Sequence, residues 1–74
     1  GMTKNMLRIL EAVEDYWAIR GYAPSYRELA EYTGLRSVSS VAEIVKRLEA
    51  DGLVTYKKDR KRTIKSLRNQ SQPR

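Results

Sequence analysis

Two local signals fix a very short helix in the middle of this chain. Ser25-Tyr26-Arg27-Glu28 has the Ser-x-x-Glu spacing in which the hydroxyl accepts from the amide three residues on, while the carboxylate reaches back to the serine amide, so a helix starts there. Gly34 tolerates the positive φ that ends a helix in a sharp turn. Between them only Leu29 and Ala30 point inward. A helix this short does not hold itself together in water, so it needs neighbours against which to bury that face.

The flanking segments supply them. Upstream, Met6, Leu7, Leu10, Val13 and Trp17 recur at spacings of three and four, predicting an amphipathic helix from about Thr3, its N-cap, to Arg20, with Gly21 as its stop. Tyr22-Ala23-Pro24 then reads as an extended connector with room for a tiny strand, because the residue before a proline avoids the helical region. Downstream, Val41, Ile44, Val45 and Leu48 predict a third helix over 38–50, ended by Asp51-Gly52. Ser37 is the preferred N-cap, and Ser40 with Glu43 forms a competing capping box one turn later. Leu53–Tyr56 and Thr63–Leu67 are β-prone runs joined by a charged, glycine-free stretch, expected to be a hairpin with a mobile tip.

Helix, connector, short helix, glycine turn, helix and hairpin together predict a mainly α fold with a small β-hairpin, a three-helix winged helix-turn-helix. The domain is expected to span 3–67, followed by a disordered basic tail, 68–74. Gly1 ahead of Met2 resembles a residue left by tag removal and takes no part in the expected fold.

Composition narrows the function. A domain of 74 residues buries only about 60% of its unfolded surface, leaving little room for a substrate pocket. With no cysteine and no histidine, the usual zinc sites, disulfides and the commonest nucleophile and acid-base pairs are all excluded, so neither enzyme activity nor a metal or cofactor is expected. No apolar run nears the roughly 20 residues that span a bilayer, and the N-terminus has no secretion signal, so a cytoplasmic protein without a membrane partner is expected.

The net charge of +6 is uneven: residues 57–74 hold eight basic residues against Asp59 alone, a net +7, which leaves −1 for the remainder. Such an edge on a near-neutral domain fits contact with a polyanion, and a solvated basic tail is the alternative. If the third helix turns its apolar face inward, Ser39, Ser40, Ala42, Glu43, Lys46 and Arg47 are left on or near the opposite side. That small, polar face fits a major groove about 12 Å wide. Glu43 either accepts from a cytosine amino group or is a capping or surface residue. Lys46 suits a phosphate better than a guanine, and Arg36 and Ser37 at the helix start are candidates for backbone contacts, or Ser37 merely caps. Lys57, Lys58, Arg60, Lys61 and Arg62 suit flanking phosphates or the minor groove. Tyr22, Tyr26, Tyr32 and Tyr56 either complete the core, the favoured reading, or stack on bases.

With these elements in place, the chain resembles the N-terminal DNA-binding domain of the LexA family of SOS repressors, without a gap from Thr3 to about Leu67. Three stretches carry the resemblance: Gly21-Tyr22-Ala23-Pro24-Ser25-Tyr26-Arg27-Glu28-Leu29-Ala30, Gly34-Leu35-Arg36-Ser37, and Leu48-Glu49-Ala50-Asp51-Gly52-Leu53-Val54. The resemblance implies a third helix in the major groove, with Ser37, Ser39, Ser40, Ala42 and Glu43 at the DNA-contacting positions. Ser39 and Ser40 stand where the family typically has asparagine and alanine, so the family operator does not carry over. The hairpin is also more basic than the family's glycine-containing wing. The family's self-cleaving, dimerising domain has no counterpart in these residues, so self-cleavage is not expected of this chain.

The expected partner is therefore double-stranded DNA, read as a homodimer if paired half-sites are to supply specificity, in transcriptional regulation and with no small-molecule substrate. Two other classes of function compete. A protein-interaction module would expose an apolar patch on the third helix or hairpin. A sequence-independent nucleic-acid binder would use the basic hairpin and tail alone.

Overall fold

The computed structural model describes residues 2–68. Three helices, α1 (Lys4–Arg20), α2 (Tyr26–Thr33) and α3 (Val38–Ala50), precede strands β1 (Val54–Thr55) and β2 (Lys65–Ser66). The strands pair antiparallel with Val54 opposite Ser66 and Thr55 opposite Lys65. This is the expected three-helix winged helix-turn-helix, mainly α with a small hairpin.

Each helix begins on a hydroxyl. Thr3 accepts from the Met6 amide at 3.1 Å, Ser25 from the Glu28 amide at 3.1 Å, and Ser37 from the Ser40 amide at 3.2 Å. The capping box is complete, with the Ser25 amide donating to Glu28 Oε1 at 2.9 Å. Gly34 sits at φ +79° while its amide and that of Leu35 both donate to the Ala30 carbonyl. α2 therefore ends within one residue and the chain turns directly into α3.

The core lies where the three helices and the hairpin meet, and Ile9, Leu10, Leu29, Leu48 and Ile64 are among its fully buried side chains. Ile9 and Ala12, not Leu7, complete the inward stripe of α1 with Met6, Leu10 and Val13. Leu7 is exposed because it lies a full 100° round the helix from Met6. Ile44 is only half-buried, at the edge of a core that Val41, Val45 and Leu48 fill.

The hairpin differs from expectation at both ends. Its ladder is short: beyond Val54–Thr55 and Lys65–Ser66 it continues only through the Leu67 amide, which donates to the Leu53 carbonyl at 2.8 Å. Toward the tip a side chain takes over, as the Thr63 hydroxyl accepts from the Lys57 amide at 2.9 Å and the Arg60 amide donates to the Lys57 carbonyl at 3.1 Å. The positive φ that a glycine would have provided falls to Arg62, at +56°. Tyr22-Ala23-Pro24 forms no strand; the Ala23 carbonyl accepts from the Arg62 guanidinium instead, at 3.2 Å.

Side chains fasten the wing to α1. The Trp17 indole donates to the Ile64 carbonyl at 2.9 Å, and Glu14 accepts from Ser66 at 2.7 Å and from Arg68 through two nitrogens, at 3.1 and 2.9 Å. Of the expected tail, Arg68 is thus held to α1, and 69–74 lie outside the described residues. No helix among the described residues is long and apolar enough to cross a membrane.

Candidate nucleic-acid interface

The start of α3 is polar, small and open. Arg36, Ser37, Ser39, Ser40, Glu43 and Lys46 are all exposed, and Ala42 is half-buried. Ser39, Glu43 and Lys46 follow at spacings of four and three and so share one outward face. Ser37 caps the helix, and its hydroxyl also shares a hydrogen with that of Ser40 at 3.2 Å. The competing cap at Ser40 does not form. The α3 terminus is left with unpaired amides and no acidic side chain in its first turn, an arrangement that favours an anion.

The wing stands beside this terminus across a groove. Its walls are the start of α2 (Pro24 to Arg27), the wing from Tyr56 to Ile64, and Val38 of α3. The rim is basic: Lys57, Lys58, Arg60 and Lys61 are exposed. The structure thus gathers the wing cations next to the first residue of α3, whereas Arg36, Ser37, Ser39, Ser40, Ala42, Glu43 and Lys46 do not line the groove.

Arg62 is placed differently from its neighbours. Its guanidinium donates to both oxygens of Glu28 at 2.8 and 2.9 Å and lies 5.4 Å from the centre of the Tyr22 ring. The Arg62 hydrogen bonds, followed by the Ser25 amide, hold the Glu28 carboxyl down at about 2. At the other end of the wing Arg68 likewise lowers Glu14.

Two groove residues escape a reading of the sequence alone. Arg27 is the exposed second residue of α2, and its only signal was its position just after the capping serine. Val38 is 42% exposed at the first position of α3, where an apolar residue one turn ahead of the core stripe passes for part of it. The tyrosines divide. Tyr26 and Tyr56 pack against the core, and burial pushes the Tyr26 hydroxyl up to about 12. Tyr22 and Tyr32 are exposed but meet the Tyr16 ring edge-on at 6.4 and 6.0 Å.

A capped short helix turning through glycine into an open, polar helix with a basic wing beside it defines a winged helix-turn-helix domain of the nucleic-acid-binding class. Comparison with known proteins agrees, since a family model described as the LexA DNA binding domain matches residues 1–63. The chain belongs to the LexA DNA-binding domain family. It is 38% identical over 63 residues to a LexA repressor of Corynebacterium diphtheriae, covering 85% of this chain and 27% of that protein. It is 40% identical over 67 residues to a LexA repressor of Frankia casuarinae, covering 90% and 26%. With a LexA repressor of Streptomyces clavuligerus it shares 37% over 73 residues, covering 99% and 30%. The chain therefore spans little more than a quarter of the length of these relatives.

Proposed function

We propose that this chain is the DNA-reading part of a transcriptional repressor, binding duplex DNA sequence-specifically with α3 in the major groove. Ser39, Ser40, Ala42 and Glu43 meet base edges, Arg36, Ser37 and Lys46 meet the phosphates flanking them, and Lys57, Lys58, Arg60 and Lys61 grip the backbone beyond the groove. Two copies on half-sites one helical turn apart would supply the specificity that one short helix lacks, and a cytoplasmic location follows from the partner. The observation that carries this reading is the side-by-side presentation of an open, polar α3 terminus and a basic wing in a chain of the LexA DNA-binding domain family.

The test is selection of duplexes from a random pool, followed by titration of the isotope-labelled chain with the winner. Amide shifts in both 36–47 and the wing are expected, and Glu43→Ala is expected to alter the selected bases. Shifts confined to the wing, or a pool that never converges, would refute specific reading by α3.

A further inference from the structure

Arg62 has the wrong surroundings for a phosphate contact. Its backbone occupies the left-handed region at φ +56°, which a non-glycine residue adopts only when its surroundings compensate. They do so here through one side chain. The guanidinium fork meets both oxygens of Glu28, a third bond goes to the Ala23 carbonyl, and the plane lies over Tyr22. Such two-point pairing sets orientation as well as attraction, and a lysine cannot reproduce it. By contrast, the side chains of Lys57, Lys58, Arg60 and Lys61 form no ion pair with the described residues.

Glu28 is held from the other side too, since its Oε1 accepts from the Ser25 amide that opens α2. The wing tip is thereby tied to the helix that leads, through the Gly34 turn, into α3. Resting on the DNA-reading function proposed above, we propose that Glu28 and Arg62 are positioning residues. They hold the tip cations at a fixed offset from α3, so that base reading and phosphate gripping occur in one register. Arg62 then acts through geometry and not by neutralising a phosphate.

Three substitutions separate the roles. Glu28→Gln keeps the capping box, in which glutamine also serves, but removes the charge and the second acceptor of the fork. Arg62→Lys keeps the charge and loses the fork. Lys61→Ala removes a cation that forms no ion pair with the described residues. In binding to the selected duplex and to an unrelated one over a range of salt, Lys61→Ala is expected to weaken both alike and to lower the log-log salt slope by about 0.9. Glu28→Gln and Arg62→Lys are expected to lower the matched-to-unmatched ratio by roughly five- to tenfold, the cost of ordering a loosened loop on binding. Their slopes should not fall. In the free chain, both should reduce the heteronuclear NOEs of the 57–63 amides. An unchanged ratio in Glu28→Gln or Arg62→Lys, or unchanged wing NOEs, would overturn the latch. If the parent chain fails to discriminate between duplexes, the proposed function falls instead, and the NOEs of the free chain still decide whether the pair orders the wing.

Discussion

Removing together the four wing cations that form no ion pair with the described residues, as Lys57→Ala, Lys58→Ala, Arg60→Ala and Lys61→Ala, gives the sharpest test of how this domain holds DNA. On the reading proposed above the count is four contacts and not five, because the Arg62 guanidinium is engaged by Glu28 whereas Lys57, Lys58, Arg60 and Lys61 form no ion pair with the described residues. Each phosphate neutralised adds about 0.9 to the log-log salt slope, so the quadruple variant should lose about 3.6. For a fourfold rise in salt, from about 50 to 200 mM, that part of the slope alone corresponds to about 150-fold in affinity. The assay is fluorescence anisotropy with a labelled duplex at five or six salt concentrations, on matched and unmatched sequences. Each single alanine should remove about 0.9 from both, whereas Ser39→Ala and Glu43→Ala should leave the slope alone and act on the matched duplex. A quadruple variant that loses less than about half the expected slope, or single variants that act on the matched sequence only, would refute the assignment of the wing to phosphates.

Stability offers further tests. Ile64 is 1% exposed and joins the hairpin to the core, so Ile64→Ala should cost about 2 to 5 kcal/mol, a large share of the roughly 4 to 11 kcal/mol expected of a domain this size. Calorimetry would detect it as a fall in Tm of at least about 10 °C, and a fall of a degree or two would contradict that packing. At Gly34 an added Cβ meets nothing within 4 Å, so Gly34→Ala should cost only the left-handed backbone term, about 1 to 2 kcal/mol; a larger loss in urea unfolding would point to a clash. Glu14 and Glu28 both titrate below their ordinary value of 4.5, Glu28 at about 2. Their contribution is therefore complete above about pH 4.5 and is lost as pH falls through the folded values. The urea midpoint should hold down to about pH 5 and then decline, less steeply in a Glu14→Gln, Glu28→Gln variant, and a midpoint that rises on acidification would be contrary to this.

Much of the fold was legible from local chemistry. The caps at Thr3, Ser25 and Ser37 and the stops at Gly21 and Gly34 act over three or four residues, so residue type and spacing suffice to place them. The outward face of α3 followed from the period of its apolar residues. Leu7 and Ile9 exchanged roles because a stripe defined by spacings of three and four leaves the helix free to rotate, and only the positions of α2, α3 and the wing select one orientation.

What the sequence determined by itself was the order of elements, the boundaries of the helices and the concentration of positive charge in the last third, since all of these depend on neighbours along the chain. The tertiary structure decided which of those charges remain available. Arg60, Lys61 and Arg62 are adjacent and chemically alike, yet Arg62 meets Glu28, 34 residues away, and its neighbours meet none of the described acidic groups. Thr63 likewise closed a turn that lacked glycine, and Glu14 secured β2 from α1. Each depends on a distance through space that folding of the whole core sets, and no local pattern encodes it.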